Sequence, residues 1–191
     1  MIGPFAIDTV FPAFGVIGAE YGVDSTAMQQ VTSVYMLAFA VMSIFHGPIS
    51  DALGRKPVMI VGLVGFVIGN IMSALAPSLT VLLISRFLQG AFAGAATIIS
   101  RVVIRDMFGG ALAQKLMSQV MMIFSIAPAL APIIGGWLLT VGRWPLIFWA
   151  ITGYGLILIV AVALLLPETQ PPAKRQPLEI RSILGSLVEV G

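Results

Sequence analysis

Apolar runs of sixteen to twenty-six residues, separated by short polar turns, fill most of this chain. Six of them stand out, at 2–17, 28–49, 58–76, 79–104, 116–141 and 145–166. A bilayer core takes about 20 apolar residues as a helix. These runs are too long for barrel strands, and backbone groups in lipid must find partners within their own segment, so the pattern predicts helices. After residue 166 the pattern changes. PETQPPAKRQP is polar and proline-rich, a linker by composition, and LEIRSILGSLVEV then resumes a helix-like pattern. The expected architecture is an all-α integral membrane bundle of six transmembrane helices over 1–166, followed by a linker over 167–191. The first span starts at once, with no basic flank or cleavage site of a signal peptide, and residues upstream of Met1 are expected.

Composition agrees: only 9% of residues are charged and 59% are hydrophobic, against about 25% charged in soluble domains. With no cysteine, disulfides and thiolate chemistry are excluded. One histidine, His46, reads as interfacial, and no metal site is expected. Few carboxylates lie at membrane depth, so no nucleophile–base or metal cluster of an enzyme can be assembled. No phosphate-binding glycine loop is present, which disfavours ATP as the energy source.

The placement of charge says more than its sum. With the N-terminus inside, the inner segments hold Arg55, Lys56, Arg101, Arg105, Lys115, Lys174, Arg175 and Arg181, and the outer loops hold only Arg143. That is a strong positive-inside bias and puts both termini in the cytoplasm. Glu20 and Asp24 fall in the first outer loop.

Four features carry candidate chemistry. The turn GPISDALGRKP at 47–57 concentrates Asp51, Arg55 and Lys56. Gly47 and Pro48 are expected to end the second helix and Gly54 to make the turn. A positive-inside turn accounts for the basic pair but not for Asp51. Asp8 lies in the first span, where a charge is costly and a function is the default reading; a wet acid near a frayed end is the alternative. Pro12 leaves the Asp8 carbonyl without its helical donor, so a break beside the acid is expected. Arg86 and Gln89 share a face of the fourth span, with Gly90 allowing close helix approach; a structural arginine bonded to carbonyls is the alternative. In the fifth span Pro128, Pro132 and Gly136 form one row, and Ala127, Ala131 and Gly135 a smooth parallel one. Tyr35, Phe39, Gln119 and Met122, among other aromatic, polar and methionine side chains, are candidates for an adaptable substrate cavity.

GPISDALGRKP resembles the loop between the second and third helices of the major facilitator superfamily, with Gly47, Asp51, Gly54 and Arg55-Lys56 in the motif positions. LLISRFLQGAFAGAA resembles its R-x-x-Q-G motif, and APALAPIIGGWLL its antiporter motif. AIDTVFPAF, RVVIRDMFGG and LLLPET resemble the Bcr/CflA drug-resistance subfamily. The resemblance spans nearly the whole chain and implies the N-terminal half of a twelve-helix fold in a bacterial inner membrane. A second six-helix half is then expected, in the same chain or by dimerisation. The resemblance further implies proton-coupled export of hydrophobic drugs by alternating access, with no cofactor beyond the proton gradient. Asp8 would carry the proton with Arg86 and Gln89 in support. Asp51 and Arg55, with Asp106 as the expected partner of Arg55, would latch the cytoplasmic side, and Pro128, Pro132, Gly135 and Gly136 would mark an exporter. A metabolite transporter of the same superfamily and a non-transporting half-length remnant or scaffold remain the alternatives.

Overall fold

The structure, a computed structural model, describes residues 2–175. The helix-like 178–190 segment and Arg181 therefore lie outside the described residues. The chain forms α1 (Ile2–Asp8), a 3-10 turn (Phe11–Ala13), α2 (Phe14–Tyr21), α3 (Ser25–Leu53), α4 (Arg55–Ala74), α5 (Leu79–Met107), α6 (Gly110–Val141) and α7 (Pro145–Leu165), then a 3-10 turn (Pro172–Lys174). Among the described residues there is no strand. Helices α3 to α7 are long and apolar enough to cross a membrane; α1, the turn and α2 together occupy the first apolar run.

The helices start and stop where the backbone finds or loses partners, which is not where polarity begins. Asp24 caps α3 by accepting the Ala27 N–H at 2.8 Å, so α3 begins three residues before the apolar run. Ser78 caps α5 in the same way. The largest difference from expectation lies at Gly47 and Pro48. Both are inside α3, which continues to Leu53. Pro48 leaves the Ile44 carbonyl without its helical donor, yet the helix carries on through that one lost bond; two residues later Ser50 Oγ donates to the Gly47 carbonyl at 2.8 Å. The turn is the single residue Gly54, at φ 106° and ψ 149°. That backbone conformation favours glycine.

Glycines on α4 and α5 set the packing distances. A Cβ on Gly62, Gly65 or Gly69 would lie 2.4–2.7 Å from α5 side chains, and one on Gly90 would lie 2.2 Å from the Tyr35 carbonyl oxygen of α3. Close approach of this kind needs small residues at the contact. The core forms around α4, which packs against α5 and α7, while α3 packs on the far side of α5. Phe66, Leu63, Ile99, Ile147 and Phe148 are fully enclosed. By contrast α3 and α6 present long apolar faces outward: Met36, Leu37, Ile133 and Trp137 are all more than half exposed.

On α6 both expected rows are present and face different ways. Ala127, Ala131, Gly135 and Leu138 are its buried positions, while Pro128 is exposed and Pro132 and Gly136 are half-buried. Neither proline ends the helix.

Candidate transport site: a broken helix, a buried arginine and a charged latch

Helix α1 stops at Asp8 because the next turns tighten and then run out of donors. Thr9 N donates to Phe5 O at 3.1 Å and Val10 N to Ile7 O at 3.4 Å, and the Thr9 hydroxyl also bonds the Phe5 carbonyl. Pro12 has no N–H to offer Asp8. The break is seated on α6: a Cβ on Gly135 would lie 2.0 Å from the Thr9 carbonyl oxygen. The small row of α6 thus admits the backbone of the first span at the point where that span is interrupted. Asp8 is half-buried, and among the described residues it forms no ion pair.

The short α1 is held by donors from other helices. Tyr35 Oη on α3 donates to Gly3 O at 3.3 Å. Arg86 on α5 is fully buried, and its Nη1 and Nη2 donate to Ala6 O at 3.3 and 3.4 Å. Arg86 Nη1 also donates to Gln89 Oε1 at 2.8 Å. The Gln89 amide continues the chain to Gly69 O at 3.0 Å and to Ser73 Oγ at 2.6 Å, and Ser73 meets Ser85 at 2.6 Å. The guanidinium lies 5.1 Å from the ring centre of Tyr35 and 5.7 Å from that of Phe148, a placement that favours a cation. Among the described residues Arg86 Nε has no hydrogen-bond partner. Arg86 therefore grips the backbone of α1 while Gln89 ties Arg86 to α4, and among the described residues no ion pair joins Arg86 to Asp8.

At the end of the bundle where α3 meets α4, Arg55 is buried, 6% exposed. Its Nη2 pairs with Asp51 Oδ1 at 2.5 Å, its Nε with Asp106 Oδ2 at 3.2 Å, and its Nη1 donates to Ser50 Oγ at 2.6 Å. One guanidinium so ties the end of α3 to the end of α5. Lys56 is half-buried beside it.

The opposite end holds a cluster that the sequence pattern does not announce. Glu20 accepts from Trp144 Nε1 at 2.8 Å and from Arg143 Nη2 at 3.2 Å, and Tyr21 Oη donates to Ala76 O at 2.7 Å. Glu20, expected in the outer loop, lies in the last turn of α2, and no periodicity links it to a tryptophan more than 120 residues away. A second acid, Glu168, falls within the LLLPET stretch, but its partners more than 110 positions away are not legible there.

A cavity of about 600 Å³ opens between α1, α6 and α7, lined by Phe5, Thr9, Ala127, Ile134 and Tyr154 among others. It is not lined by the four side chains expected to face a substrate. Tyr35 is fully buried and stacked on Phe39 at 6.5 Å, while Gln119 and Met122 are exposed on α6. The cause is the close α3–α5 contact at Gly90, which encloses Tyr35. His46, expected at the interface, is likewise buried, 4% exposed. Its ring stands 3.1 Å from where a Gly94 Cβ would be. Among the described residues no group of three metal-ligating side chains occurs.

The model of the family described as Major Facilitator Superfamily matches residues 1–188. The chain is 33% identical to the MFS-type transporter YdgK of Bacillus subtilis over 99% of this chain and 48% of the relative. It is 31% identical to the Bicyclomycin resistance protein homolog of Haemophilus influenzae over 96% and 46%. It is also 31% identical to the Multidrug resistance protein MdtL of Escherichia coli over 91% and 44%. The chain thus spans about half the length of these relatives. The crystal structure of the human organic anion transporter MFSD10 superimposes with a TM-score of 0.66, at 21% identity, covering 95% of this chain and 50% of that one. Helices that fit a membrane, the interrupted first span and the family match agree: the chain belongs to the Major Facilitator Superfamily, whose members are multi-pass membrane transporters of small molecules and not enzymes.

Proposed function

We propose that the chain forms the N-terminal half of a proton-coupled antiporter that exports hydrophobic compounds by alternating access, with a second six-helix half supplied by the same chain or by a partner. The observation that carries this reading is the seat of the first span. Its helix breaks at Asp8, its backbone rests on Gly135 of α6, and the acid has no counter-charge among the described residues. Interrupted helices at membrane depth are where transporters place coupling groups. A carboxyl group without a cationic partner is free to bind and release a proton as water reaches it from either side.

Arg86 supports this by fixing α1 through its Ala6 carbonyl, and Gln89 by holding the Arg86 guanidinium. The nearby cavity is apolar in its lining, which suits a hydrophobic compound, and relatives named for bicyclomycin and multidrug resistance point the same way. The charged end carries Arg55, Arg105, Lys115 and Arg175 and would face the cytoplasm of a bacterial inner membrane. There Asp51, Arg55 and Asp106 would act as a latch that holds one state and opens in the other. Asp51 is only partly enclosed, its side chain 38% exposed, which leaves it accessible to a helix N-terminus of the second half.

The test is transport of a hydrophobic cationic dye into inverted membrane vesicles under an imposed pH gradient, using the protein with whatever follows residue 191 in its reading frame. Asp8→Asn is expected to abolish gradient-driven uptake while the protein still inserts and folds. Uptake with unchanged pH dependence in that variant would remove Asp8 from the mechanism.

A further inference from the structure

The segment that leaves α7 crosses directly beneath the charged latch, and three consecutive residues bind it. Helix α4 begins at Arg55, and the residue before it, Gly54, has no side chain to cap it. The first N–H groups of any helix lack intrahelical partners and carry the positive end of its dipole. Here Glu168 fills that role from 113 positions away: its Oε1 accepts from Arg55 N at 2.9 Å and its Oε2 from Lys56 N at 3.2 Å. Gln170 N, at 2.8 Å, braces the same carboxylate. Thr169 Oγ1 donates to Asp106 Oδ2 at 3.2 Å, the oxygen that also pairs with Arg55 Nε. Gln170 Nε2 reaches the Asp51 carbonyl at 3.4 Å.

Gly54 admits this arrangement twice over. Its φ of 106° favours glycine, and a Cβ there would lie 2.7 Å from Glu168 Oε2. The same residue that turns α3 into α4 leaves the space through which the acid reaches α4.

We propose that Glu168 is a positioning residue of the latch. Its carboxylate holds the first turn of α4, and thereby aims the Arg55 guanidinium at Asp51 and Asp106. This rests on the latch reading given under Proposed function. Because Glu168 stands three residues beyond the end of α7, displacement of the segment that follows α7 withdraws the cap, and the latch loosens with it. The exit of the chain from this bundle and the state of its gate are then one mechanical element.

The protein contains no cysteine, so Val103→Cys, buried one turn before Asp106, provides a single reporter in membranes carrying the full chain. Labelling by a soluble maleimide reads how often the latch end opens. Glu168→Ala is expected to raise the labelling rate about tenfold, the scale of losing one helix cap, and Glu168→Asp to restore much of the protection. In the Arg55→Ala background, where the latch is already open, Glu168→Ala should add little, because it acts through Arg55. If Glu168→Ala opens the site equally in both backgrounds, the residue is only a structural cap and the proposal fails. If Arg55→Ala exposes Cys at 103 but Glu168→Ala and Glu168→Gln both leave it protected, the proposal fails while the latch stands. If Arg55→Ala itself changes nothing, the latch reading fails and takes this one with it. Glu168→Gln keeps the side-chain volume and carries the test where the alanine variant does not insert.

Discussion

Among the described residues two arginines are buried, and their polar groups are met in opposite ways. Arg55 faces two carboxylates, and the acids that hold it remain 38% and 29% exposed. Among the described residues Arg86 faces none within salt-bridge distance; backbone carbonyl, glutamine amide and two aromatic faces surround it instead. Partners at a half-wet rim can be exchanged for water at modest cost, which suits the opening proposed for the Arg55 site. A guanidinium held by the backbone of a helix break in a dry interior has no such exchange available, so the Arg86 site is built to stay.

The contrast is broken most severely at Arg86. Arg86→Met should lower the stability of the purified protein by about 2 kcal/mol, the scale of leaving buried acceptors, here Ala6 O and Gln89 Oε1, without their donor. Thermal unfolding in detergent reads this, and a loss under about 1 kcal/mol would mean that α1 does not depend on the arginine. At the rim, Asp106→Asn leaves the Asp51 pair intact and keeps the side-chain shape. It should reduce stability by only about 1 kcal/mol while increasing exposure of the latch end, measured by the same cysteine labelling. A stability loss as large as that of Arg86→Met would erase the distinction between the two sites. The smallest effect belongs to Arg143, whose side chain is 80% exposed where it pairs with Glu20. Arg143→Ala should change stability by no more than about 0.5 kcal/mol, because Trp144 Nε1 continues to satisfy Glu20.

Much of this was legible along the chain. Pro12 after Asp8 was enough to place a break in the first span, because a missing N–H acts on a residue at a known offset. Gln89 was expected on the face of Arg86 for the same reason: three residues is nearly one helical turn. The small row of Ala127, Ala131 and Gly135 could be read from spacing, but not what it meets, and the structure seats it on the Thr9 backbone. Pro48 misled, because its local cost was taken as the end of a helix that packing against α5 carries through to Leu53. The burial of Tyr35 was not legible, since an aromatic residue on a membrane helix has the same pattern whether it faces a cavity or a neighbouring helix.

Hydropathy and proline offsets determined by themselves the class of this protein, its all-helical character and the position of its broken segment. Each of these is a property of one residue or of one segment in its solvent. Only the tertiary structure decided that Arg86 grips a backbone carbonyl rather than a carboxylate, that Tyr35 is enclosed, and that Glu168 caps a helix begun 113 positions earlier. Those outcomes depend on which helices approach closely enough for a donor to reach an acceptor, and such distances are set by packing between segments that no local pattern encodes.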